Sequence, residues 1–164
     1  MKLFLVQHGD AVIQEVDPQR PLSEQGKRDV ETMARWLHQA SVRADHVLHS
    51  GKRRAHQTAE MLAQVMTTGG SCSSLSGMAP NDPVEAVAAT VAALSQDTVL
   101  VGHLPFMSRL ASLLIGADPE RGIVAFQPGS IVCLEKDRSG RFSVNWMLRP
   151  DVLPKGPDAS HEDR

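Results

Sequence analysis

Two histidines and one arginine draw attention through their places beside apolar runs. His8 follows the run at residues 2–6, His103 follows the run at 98–101, and Arg54 lies between the run at 46–50 and a helix-like stretch. A site that transfers a phosphoryl group without a metal needs a nucleophile and enough fixed positive charge to hold a phosphate dianion and its transition state. Neutral imidazole can attack phosphorus, and a guanidinium presents a planar fork that matches phosphate oxygens in pairs. Taken singly, each residue has a plain structural reading: a histidine satisfied in a turn, an arginine solvated at a helix start, a histidine before a proline-led helix. A cation in a first helical turn opposes the helix dipole, however, so Arg54 needs a further reason for its place. Only convergence would make these three a site, and convergence depends on the elements that carry them.

Residues 2–6 are apolar and partly β-branched and stop before a glycine, as a buried parallel strand does. Ser23 is a plausible N-cap for a helix with Val30, Met33, Ala34 and Leu37 at helical spacing. Residues 46–50 read as a second strand, and Ala55, Thr58, Ala59, Leu62 and Met66 mark the helix after it. Residues 67–80 are rich in Gly, Ser and Thr and predict a loop with room for a short strand. A helix over 82–94, a strand over 98–101 and a helix carrying Phe106, Leu110, Leu113 and Leu114 follow. Residues 130–135 and 141–148 predict two strands joined at Asp137-Arg138-Ser139-Gly140. Alternating strands and helices predict an α/β fold, a three-layer α/β/α sandwich around a mostly parallel sheet, within a single domain over residues 1–150. Residues 151–164 are Pro-rich and polar and predict a loose tail. In such sheets ligands bind beyond the carboxyl ends of the strands, where His8, Arg54 and His103 all fall.

The bulk properties narrow the partners. With 164 residues, 41% hydrophobic and 22% charged, the chain suits one domain with its own core. A net charge of −2 supplies no field for nucleic acid or anionic lipid, and Lys52-Arg53-Arg54 is too short a basic run, without aromatic neighbours, to read as a nucleic-acid patch. No stretch reaches the length of a membrane span, and the brief apolar start predicts a mature cytoplasmic protein rather than an exported one. In a reducing compartment Cys72 and Cys133 read as free thiols, not a bridge or zinc ligands. His38, His46, His49 and His56 lack a metal-ligand spacing, so packing and surface roles are expected for them, and core positions for Trp36 and Trp146.

Four segments, in order, carry a family likeness. Gln7-His8-Gly9-Asp10-Ala11 resembles the Arg-His-Gly signature of the histidine phosphatase superfamily, which continues as Asp-Ala in the SixA-type phosphohistidine phosphatase branch. Residues 50–59, Ser-Gly-Lys-Arg-Arg-Ala-His-Gln-Thr-Ala, are similar to that branch's Ser-Pro-x-x-Arg-Ala-x-Gln-Thr segment, and Gly102-His103-Leu104-Pro105 to its Gly/Ser-His-Leu-Pro segment. With Arg20-Pro21-Leu22-Ser23 the likeness spans residues 1–148. It implies a phosphoglycerate mutase-like fold and a phosphatase without cofactor or metal, with His8 as nucleophile, Arg54 as phosphate clamp and His103 as a second phosphate contact. Gln7, Gly9 and Arg20 complete the implied phosphate-binding set. The implied substrate is a phosphorylated protein carrying phosphohistidine, or a small phosphate ester, and a monomer is expected.

Two departures touch the chemistry. Gln7 replaces the signature arginine and carries no charge, and Gly77 stands near the place where relatives carry a glutamate. Asp10 and Asp82 are the candidate proton donors, although phosphohistidine, whose imidazole can leave protonated, needs little acid help. The same departures raise the alternative of a weakened or inactive member that binds phosphate or a phosphoprotein without turnover.

Overall fold

The computed structural model describes residues 1–154. Strands β1 (Lys2–Gln7), β2 (His46–His49), β3 (Ser73–Ser74), β4 (Thr98–Gly102), β5 (Ile131–Lys136) and β6 (Phe142–Leu148) form one sheet in the order β3-β2-β4-β1-β5-β6. The pairings among β3, β2, β4 and β1 are parallel, and β5 and β6 add an antiparallel edge. Helices α1 (Glu24–Gln39) and α2 (Arg53–Met66) cover one face, and α3 (Glu85–Ala93) and α4 (Phe106–Leu114) the other. The period of two along β1 feeds both cores: Phe4 and Val6 join the cluster under α1 and α2, while Leu3 and Leu5 join the one under α3 and α4. Each such fully buried side chain contributes roughly 1.5–3 kcal/mol. The expected α/β/α sandwich is therefore what the chain forms.

Ser23 caps α1 by accepting the Gly26 N–H at 3.0 Å, and its own hydroxyl donates to Asp10 at 2.5 Å, which ties the helix start to the loop behind His8. The expected helix over 82–94 starts later, at Glu85, because Asp82 and Pro83 belong to a turn in which the Asp82 carboxylate accepts the Ala79 N–H. The first residues of the expected tail, 151–153, are ordered against the domain. Pro150–Val152 form a 3-10 turn and Leu153 is buried in the cluster beneath α1 and α2; residues 155–164 lie outside the described residues. Trp36 and Trp146 are half-buried at the margin of that cluster and meet edge to face rather than filling its centre. Among the described residues no helix is long and apolar enough to cross a membrane.

Candidate active site

Strands β1 and β4 run side by side in parallel, with Gln7 opposite Gly102, so the chain leaves both at the same level. His8 and His103 are the next residues on each side, and the His8 N–H donates to the Gly102 carbonyl at 3.0 Å. Their ring centroids lie 4.8 Å apart. Arg54, in the first turn of α2, reaches the same point: its Nε donates to His8 Nε2 at 3.1 Å. Arg20 arrives by another route. Residues 10–23 fold back on themselves, held by the Val12 N–H on the Pro21 carbonyl and the Ser23 N–H on the Asp10 carbonyl. Arg20 at the far side of this loop takes a left-handed φ of 47° and anchors its Nε on the Val12 carbonyl. A non-glycine residue in this conformation is costly and persists where the surroundings demand it.

The result is an open cavity of about 320 Å³ lined by Gln7, His8, Asp10, Arg20, Arg54 and His103, with Pro80, Leu104 and Pro128 at its edge. Among the described residues neither Arg20 nor Arg54 has an ion-pair partner. Asp10 is the one carboxylate in the lining, and Ser23 already engages it. Two guanidiniums against one carboxylate make a preformed anion seat, and this is the further reason for Arg54 in a helix's first turn.

The hydrogen bonds decide the state of His8. A guanidinium N–H can only donate, so Nε2 holds a lone pair and the proton sits on Nδ1, which donates to the Gly9 carbonyl at 2.7 Å. Burial, with help from the Arg54 and Arg20 charges, depresses the His8 pKa to about 4 against the opposing Gly9 hydrogen bond. Burial likewise lowers His103 to about 3, and the neighbouring His8, Arg54, Lys52 and Arg20 charges push the same way. Both rings are neutral at physiological pH. His103 Nε2 meets the Ser50 hydroxyl at 2.5 Å, and its Nδ1 is buried without a partner. Ser50 thus holds the His103 ring in its place in the cavity lining.

Not every expected residue takes the expected place. Gly9 does not line the cavity: its N–H donates to Thr58 Oγ1 at 3.1 Å and its carbonyl serves His8. What glycine supplies there is clearance, since a Cβ would lie 2.9 Å from Val30 Cγ2 and 3.1 Å from the Gly26 carbonyl. Asp82 does not line the cavity and organises the 79–82 turn instead. Gln7 does line it, with Oε1 buried and unpartnered. Gly77 has a φ of +81°, a conformation that disfavours a glutamate there. Sequence reasoning missed two supports, Ser50 behind His103 and Thr58 beneath Gly9. Ser50 opens the 50–59 segment, and Thr58 is a hydroxyl on an otherwise apolar helix face; those were the available signals.

Comparison with known proteins identifies the family and the fold. The family model described as histidine phosphatase superfamily (branch 1) matches residues 3–69. Phosphohistidine phosphatase SixA of Escherichia coli (strain K12) is 31% identical over 156 residues, covering 92% of this chain and 94% of that protein. The structure of the protein histidine phosphatase SixA complexed with tungstate superposes with a TM-score of 0.80 at 31% identity, over 92% of this chain and 98% of the other. A phosphoserine phosphatase from Entamoeba histolytica in complex with 3-phosphoglyceric acid, at 14% identity and a TM-score of 0.67 over 89% of this chain and 95% of its own, shares the fold alone. The chain belongs to the histidine phosphatase superfamily, on the branch of the SixA-type phosphohistidine phosphatases.

Proposed function

We propose that this chain is a phosphatase that hydrolyses phosphohistidine, without a metal in the reaction, through a phosphoryl intermediate on His8. The observation that carries the reading is the neutral, Nδ1-protonated His8, whose Nε2 lone pair points at Arg54 in a cavity with unpaired cationic charge. The cavity offers an anion two guanidiniums, and its two imidazoles stand beside those charges with a single, already engaged carboxylate, so fixed cations supply the charge that the transition state needs. In the resting state Arg54 Nε covers the attacking lone pair. An arriving phosphoryl group draws that N–H to its own oxygens and frees Nε2 to attack phosphorus. The P–N bond of the substrate breaks and its imidazole leaves with the electron pair, taking a proton from solvent. Water then attacks the phosphoryl group on Nε2, phosphate departs, and His8 recovers its lone pair. The His103 ring and Arg20, both in the cavity lining, hold the developing negative charge. The cavity is open and small, which supports a phosphorylated side chain presented by a protein or peptide rather than a large soluble ester.

A second reading, a phosphate-binding module without turnover, draws on Gln7, whose buried amide oxygen faces no donor where the signature arginine would supply charge. One assay separates the two. Phosphate release from a phosphohistidine peptide and from para-nitrophenyl phosphate is followed in EDTA for wild type, His8→Ala and Gln7→Arg. Turnover by wild type that disappears in His8→Ala supports the enzyme. Silence from wild type, with activity appearing in Gln7→Arg, supports the binding module.

A further inference from the structure

The fold gathers three potential metal ligands that sequence spacing leaves 7 and 16 residues apart. His49 is buried at the end of β2, His56 lies on α2, and Cys72 immediately precedes β3, on the side of the sheet that α2 covers. One donor atom from each lies within 4.8 Å of the others, and the two imidazoles stack with centroids 4.7 Å apart. Glu60, one helical turn beyond His56, brings Oε1 to 3.4 Å from His56 Nε2. None of these residues lines the cavity that holds His8.

We propose that His49, His56 and Cys72 bind a borderline divalent metal ion of the zinc class, with the Glu60 carboxylate or water as fourth ligand. Two imidazoles, a thiolate and a carboxylate are the donor mixture that suits tetrahedral zinc, whereas magnesium and calcium require all-oxygen shells. Zinc–ligand bonds of about 2.0–2.3 Å place tetrahedral donors about 3.3–3.6 Å apart, so the three side chains need to close by roughly 1 Å. The ion would join the ends of β2 and α2 to the strand at the sheet edge. Cys72 and Cys133 are free thiols, as spacing led one to expect; what spacing does not record is that separate elements bring Cys72 beside two histidines.

Metal binding also reaches the neighbouring loop. His49 Nδ1 accepts the Gly51 N–H at 3.1 Å. Ligation through Nδ1 takes that lone pair directly, and ligation through Nε2 moves the ring proton onto Nδ1; either way the Gly51 N–H loses its acceptor. Gly51 sits between Ser50, the partner of His103, and the start of α2 that carries Arg54.

Chelator-stripped full-length protein is titrated with cobalt(II), which zinc then displaces. The expected result is one ion per chain, a thiolate-to-cobalt charge-transfer band, intense four-coordinate visible bands, and a shifted Gly51 amide resonance on zinc addition. Cys72→Ser should abolish the charge-transfer band and weaken zinc binding by at least about ten-fold, as should His56→Gln on the exposed helix surface. Cys133→Ser, the control, should bind as wild type does. Absence of the charge-transfer band in wild type, or zinc isotherms that coincide for wild type and Cys72→Ser, overturns the proposal. Because every readout is binding or spectroscopy, the result is independent of whether the His8 cavity turns over.

Discussion

The imidazole of His8 loses its proton far more readily than an exposed histidine does, with burial as the main cause and the Arg54 and Arg20 charges adding to it. Its two hydrogen bonds also select the tautomer. A nitrogen-detected NMR titration should therefore find His8 neutral, with the proton on Nδ1, down to a pH near 4; a midpoint close to 6.5 or an Nε2–H ring would contradict the assignment of the nucleophile. Arg54→Ala removes both the lid on the lone pair and the fork for phosphate. It should lower kcat/KM by about a hundred-fold or more, since a preorganised charge-assisted donor is worth roughly 2–4 kcal/mol in a transition state. It should also raise the His8 midpoint, because one depressing charge is gone. Gln7→Arg acts in the other direction. The amide oxygen it replaces has no partner to lose, so a gain of about ten-fold or more in kcat/KM is expected from steady-state rates on the phosphohistidine peptide, and no gain would mean that Gln7 already fulfils the role.

Between residue and molecule stand the contacts that hold the β1 exit loop against α1 and α2. Thr58 donates to the Arg54 carbonyl at 2.8 Å and accepts the Gly9 N–H, so one hydroxyl links the helix that carries Arg54 to the loop that carries His8. Thr58→Val keeps the shape and leaves the buried Gly9 N–H unsatisfied, at a cost of about 1–3 kcal/mol in urea unfolding. Gly9→Ala should cost a similar amount through overpacking against Val30 and Leu22. A urea midpoint equal to wild type in either variant would show that the loop is not held as described. The parallel sheet and the three residues beyond its strands were readable because strand ends are marked by simple cues, an apolar run and a glycine or polar stop. The duties of Gly9 and Asp82 were not readable, since each depends on which distant group fills a hydrogen bond, Thr58 for one and the Ala79 turn for the other. The His49, His56 and Cys72 cluster escaped for the same reason: α2 and β3 bring its members together, and no local spacing records that.

For the molecule as a whole the two neutral histidines tie stability to pH. In the unfolded chain each binds its proton near 6.5, while in the folded chain His8 does so near 4 and His103 near 3. The unfolded state therefore holds more protons throughout that interval, and stability, complete above 6.5, declines as the pH falls through it. Urea unfolding should show a lower free energy at pH 5 than at pH 7.5, a range above most carboxylate titration, and His103→Gln should flatten the slope; an unchanged slope would remove His103 from this account. The spacing of the two rings has a consequence of its own. Their 4.8 Å centroid separation equals the distance between neighbouring strands of any β-sheet, because each ring grows from the next residue after paired positions on adjacent strands. On the proposed function, backbone pairing thus sets the distance between the two rings that meet the phosphoryl group. On the same reading, specificity and rate are open to adjustment through the loops bearing Arg20 and Leu104, which line the cavity, while the sheet keeps the backbone of both histidines in register.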